Sequence, residues 1–167
     1  QQGRLSRQRF GVVLRNLMTR FGRQAYEQGL QDGGVDPRDA TDEDASAVRD
    51  LVLSQSVYIR NFIERVWSRD RESFPLNTEA RASMWFNKSI SPFYDAGLMS
   101  ADRNGMYEWI LGPTEEHCPD CSRLNGQRHR LKTWNQSGWL PQADKLACKG
   151  FKCKCNLKKP TNVHAGG

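Results

Sequence analysis

Apolar residues recur at steps of three and four through the first hundred positions, separated by charged and amide side chains. Phe10, Val13, Leu14, Leu17, Phe21 and Ala25 form the first series and predict an amphipathic helix over residues 5–32, ended by Gly33 and Gly34. Asp36-Pro37 begins a turn-rich link. Thr41, followed by Glu43 and Asp44, has the form of a helix start with acids close to unpaired backbone N–H groups. Val48, Leu51, Val52, Val57, Tyr58, Phe62, Ile63 and Val66 predict a second helix reaching about Arg71 and pairing with the first. Asn77 or Thr78 can cap a third, which carries Ala80, Met84, Trp85 and Ile90 toward Ala96. Pro92 is expected to bend or interrupt it, because proline lacks the amide proton, and Gly97 is expected to stop it.

At "RNGMYEWILGP" the period changes. An Asn104-Gly105 turn precedes Met106, Tyr107, Trp109 and Ile110, which predict a short strand. Further on, Asn125-Gly126, Ser137-Gly138 and Pro141 suit hairpin turns, while Leu124, Trp134, Trp139 and Leu140 can cover a small core. Aromatic residues in both regions are expected to serve as core rather than as a cofactor box.

The chain has 167 residues, of which 37% are hydrophobic, and a mean hydropathy of -0.76. That is room for one ordinary domain with a thin core that gains from a partner or a local staple. No run of eighteen apolar residues offers a transmembrane helix, and "QQGRLSRQRFG" has no apolar segment of the secretory type, although a chain opening on Gln fits a processed product as well. The net charge of +6 is uneven. From His117 onward ten Lys or Arg stand against two acids, whereas the preceding residues carry fifteen against seventeen. Basicity is therefore concentrated in the last third, where an acidic protein surface or a nucleic-acid backbone would feel it.

All five cysteines fall in that third. Cys118 and Cys121 form CPDC, and Cys148, Cys153 and Cys155 follow after twenty-six residues. A C-x2-C turn sets two sulfurs on one side of a metal, and a distant second group can complete a tetrahedron, so one structural zinc held by four of the five is the leading expectation. Cys118, Cys121 and Cys153 are the firmest ligands, with Cys148 ahead of Cys155 as the fourth. His117 or His129 could stand behind them or substitute. Disulfides and a redox or nucleophilic thiol remain alternatives, the first weakened by the odd count and the second by the missing βαβ setting. His164 sits in a loose end. Phosphate loop, HExxH helix and paired carboxylates are not recognisable, so no catalytic residue is assigned and the chain is expected not to be an enzyme. The fold expected is α+β: an elongated amphipathic helical body over residues 1–100, a small metal-stapled, β-hairpin-rich lobe over 101–160, and a flexible tail over 161–167.

Trp109, Cys118 and Cys121, Leu124 and Gly126, Pro141, and the closing Cys153-Lys154-Cys155-Asn156-Leu157 follow one another in an order that resembles the terminal domain of the Mu-type phage head morphogenesis family, the minor head proteins. The resemblance covers roughly residues 78–157. One departure is that the family commonly has a histidine before its final cysteine pair, where this chain has Cys148. The resemblance implies a low-copy virion component associated with the portal or internal head contents and sometimes ejected with DNA. Joined to the missing catalytic motifs and the basic last third, it leads to the expectation of a non-enzymatic adaptor, in multiple copies within a large assembly, that contacts the portal or major head protein and non-specifically the packaged DNA, and that resides in host cytoplasm during assembly. Two other readings compete: a small zinc-containing nucleic-acid-binding protein, and a thiol enzyme or toxin fragment.

Overall fold

The computed structural model describes residues 6–67, 85–150 and 153–161. It is an α+β chain that divides into two compact units, Gln1–Ala101 and Asp102–Gly167.

In the first unit, helix α1 (Arg7–Gly33) starts at Ser6, whose hydroxyl accepts the Arg9 N–H, and stops at Gly34, whose φ of 99° presents its N–H to the last carbonyls. Helix α2 (Asp42–Trp67) begins as the sequence predicts. The Thr41 hydroxyl accepts the Asp44 N–H at 3.3 Å, and the Asp44 carboxylate accepts the Thr41 N–H and hydroxyl at 2.8 Å, a reciprocal cap. The predicted extension to Arg71, and the third-helix start at Asn77 or Thr78 with Ala80 and Met84, lie outside the described residues.

A π-helical segment, Phe86–Ile90, leads into helix α3 (Ser91–Asp102). The change of helix type falls just before Pro92, where no amide proton is available to continue the ladder. Gly97, expected as a stop, lies instead inside α3 and is buried. A Cβ there would stand 2.1 Å from the Tyr26 carbonyl oxygen, and one on Gly29 would stand 2.2 Å from the Tyr94 carbonyl oxygen. Helices α1 and α3 thus cross backbone against backbone, and glycine serves contact rather than termination.

Met18, Tyr26, Leu30, Ile59, Ile90 and Phe93 form the core of this unit, with Leu14, Val48, Leu51, Val52 and Ile63 packed around it. The apolar stripes are wider than this core. Val13, Leu17 and Phe21 on α1 and Val57 and Tyr58 on α2 remain between 37% and 62% exposed.

The second unit is built on a three-stranded antiparallel sheet in the order β2-β1-β3, with β1 (Met106–Ile110) central between β2 (Arg128–Arg130) and β3 (Asn156–Lys158). The predicted strand is therefore present, and its alternate residues Tyr107 and Trp109 are buried. Two short helices, α4 (Pro119–Leu124) and α5 (Leu131–Ser137), flank β2 in the chain. Trp134 packs on Trp109 at 5.7 Å and donates its indole N–H to the Tyr107 carbonyl. The glycines expected in hairpin turns do other work: Gly126 follows α4, and Gly138, at φ 70°, ends α5. Local helix formation takes over the links that the turn signals suggested for hairpins. No described helix is long and apolar enough to cross a membrane.

Candidate metal centre

Three separate segments bring the thiols together. Cys118 is the N-cap of α4, and its sulfur accepts the Cys121 N–H at 3.4 Å. Pro119 fixes the first helical φ and loses nothing by lacking an N–H there. One helical turn thereby holds the two sulfurs 3.3 Å apart.

The loop bearing Cys148 is fastened to that turn by Asp120, which accepts the Ala147 N–H at 2.8 Å, and by the buried Leu146. After Cys148 the backbone takes left-handed conformations at Lys149 (φ 49°) and Gly150 (φ 75°), and the Gly150 N–H donates to the Cys148 sulfur. Cys153 and Cys155 precede β3 rather than lying in it. Gln142 donates to both of their carbonyl oxygens, at 3.3 and 2.8 Å, which shapes the segment so that residues one apart converge instead of pointing to opposite faces. The Cys155 sulfur accepts the Gly112 N–H. A side chain on Gly112 would collide with the Lys154 carbonyl, 2.1 Å from its Cβ.

The outcome is two groups of three sulfurs, Cys118 with Cys121 and Cys148, and Cys121 with Cys153 and Cys155, each within 4.8 Å mutually. Cys121 belongs to both. Its sulfur lies 3.8 Å from that of Cys153, and an ion with Zn–S bonds of about 2.3 Å needs tetrahedral edges of about 3.8 Å. All five thiols are free. Such a sulfur cluster can form a metal site, as the cysteine spacing suggested.

Burial and crowding set the protonation of the thiols. Burial, then the neighbouring thiols, drive Cys121 well above the ordinary range. Cys148 is pushed up to about 11, chiefly by burial, and burial also raises Cys155. Cys118 moves down: burial opposes ionisation there, but hydrogen bonds from Cys121 and Cys148 outweigh it. These N–H···S bonds are the kind that orient and stabilise thiolate ligands.

Neither histidine considered with the cysteines joins a sulfur group. His117 hydrogen-bonds Thr114 at 3.2 Å, and His129 meets the Trp134 ring edge-on at 4.8 Å. His164 lies outside the described residues. Asp120, Gln142 and Gly112 escaped the sequence reading. For Asp120 the signal was present, an acid inside the C-x2-C turn, whereas Gln142 and Gly112 act through backbone contacts that no motif announces.

No family model, curated protein or solved structure matches the chain.

Proposed function

We propose that the chain is a non-enzymatic structural adaptor whose C-terminal unit is stapled by one zinc ion. The observation that carries this reading is the convergence of five thiols from three segments on Cys121. A ligand set of Cys118, Cys121, Cys148 and Cys153 joins one complete sulfur group to the neighbour whose 3.8 Å separation matches a tetrahedral edge. Cys155 is then the spare thiol. A small core, led by Trp109, Trp134, Leu124 and Leu146, makes such a staple valuable.

In the same reading the adaptor is a minor head protein of a tailed phage, acting at the portal or inner head. Support comes from the order of Trp109, the C-x2-C pair, Gly126 and the closing C-x-C, together with apolar stripes on α1 and α2 wider than their own core.

Elemental analysis of protein purified without a metal-affinity step tests the zinc, with about one ion per chain expected. Cys121→Ser should abolish retention, while Cys155→Ser keeps the ion. Two stoichiometric disulfides and no metal would refute the site. Mass analysis and reconstruction of the source particle test the location, and absence of the chain from heads and portals would refute the phage assignment.

A further inference from the structure

The open face of the C-terminal sheet has a composition that the metal site does not explain. Strand register pairs Met106 with Arg130, Glu108 with both Arg128 and Lys158, and Ile110 with Asn156. Paired residues of an antiparallel sheet project to the same side, so these side chains share one face, opposite the buried Tyr107 and Trp109. Arg128, Arg130, Lys158 and Asn156 are exposed, and Met106 is 46% exposed. Glu108 is committed to Arg128 by a 2.7 Å ion pair. Arg130 and Lys158 have no ion pair among the described residues. Arg130 and Lys158 therefore stand on opposite edge strands, diagonally across the central one and about 12 Å apart, with exposed Met106 directly beside Arg130 and Glu108, already paired to Arg128, directly beside Lys158.

We infer that this sheet face is a docking surface for a nucleic-acid backbone. Separated cations on a shallow face match a repeating anion, whereas a lone carboxylate would engage only one of them. Lys and Arg contacts to phosphate position a protein without reading sequence, so the face is indifferent to base order. Edge-strand cations also discourage strand pairing between chains, but that service does not require a salt-dependent affinity for polyanions. The inference rests on the proposed zinc staple only in needing the C-terminal unit folded.

The test uses the full chain, zinc-loaded, and an end-labelled 20-base-pair DNA duplex of arbitrary sequence, with affinity followed by fluorescence anisotropy from 50 to 300 mM NaCl. Each phosphate neutralised contributes about 0.9 to the slope of log affinity against log salt. The double substitution Arg130→Ala with Lys158→Ala should therefore flatten the slope by about 2, while a control, Arg9→Ala with Arg15→Ala on exposed positions of α1, leaves it unchanged. Zinc content equal to wild type shows that the variants keep their fold. An unchanged slope in the sheet variant, an equal loss in the control, or binding to phosphatidylserine vesicles without binding to duplex would overturn the assignment. If metal-free protein binds the duplex with the same slope and the same loss on substitution, the zinc staple fails while the face stands.

Discussion

Asp44 shows how much one side chain can organise. It is 8% exposed, and its carboxylate accepts hydrogen bonds from Tyr26 on α1, Ser100 on α3 and Thr41 at the start of its own helix. Burial alone would raise its pKa, yet the bonds from Thr41, Tyr26 and Ser100 together bring it down from 3.8 to about 2. A depressed folded-state value stabilises the protein above the unfolded value of 3.8, and the benefit is lost as pH falls through about 2. Asp44→Asn should therefore cost about 2 kcal/mol at pH 7, and the gap to wild type should close toward pH 2. Urea unfolding at several pH values measures it, and a pH-independent gap would contradict the role. The helix-start signal at Thr41, Glu43 and Asp44 was readable because a cap is a local pattern. The bonds to Tyr26 and Ser100 span 18 and 56 positions, and no periodicity encodes them. Cys153 and Cys155 teach the same lesson at the thiol cluster: spacing identified them as ligand candidates, but Gln142, whose side chain reaches across from another loop to both of their carbonyls, is what shapes the segment.

At the scale of elements, the strongest apolar periods gave α1 and α2, and alternation gave β1, because each pattern reports directly which face can be buried. Glycine was harder to read. Gly34 ends a helix with a positive φ, as expected of its residue type, while Gly97 sits in a helix interior where only the neighbouring helix explains it. The two uses are indistinguishable in sequence. They differ in consequence, since a methyl group at Gly97 would press on the Tyr26 backbone, which cannot move like a flexible side chain. Gly97→Ala should accordingly destabilise the N-terminal unit by about 3 kcal/mol, in the upper part of the range for overpacking. Gly34→Ala should cost less, about 1 kcal/mol, because its Cβ would meet nothing within 4 Å and only the left-handed backbone opposes it. Paired denaturant melts test that order, and a larger loss at Gly34 would reverse the argument. The same limit governs Ser137-Gly138, where a turn signature was legible but the short helix that it terminates was not.

Across the whole chain, the zinc staple proposed above assigns the two units different sources of order and so predicts different responses to metal removal. The N-terminal unit holds long helices α1 and α2 and a core from Met18 to Phe93 that contains no cysteine. Among its described residues the C-terminal unit has three short strands, two short helices and five clustered thiols, with Trp109 and Trp134 packed together. Structural zinc in small modules contributes on the order of 10 kcal/mol of apparent binding free energy, more than the few kcal/mol that a core of this size supplies unaided. Chelation should therefore abolish the near-ultraviolet dichroism of the buried Trp109 and Trp134 while most of the far-ultraviolet helical signal persists. Restoring zinc should recover the tryptophan signal. Substituting Trp134→Phe and Trp139→Phe in turn separates the contributions within this unit, since Trp139 lies in it as well while the exposed Trp67 and Trp85 belong to the other. If chelation removes metal but leaves the tryptophan dichroism intact, the thiol cluster is a metal site that the fold does not need. If both signals fall together, the helices depend on the same staple, and the division of labour between the two cores is wrong.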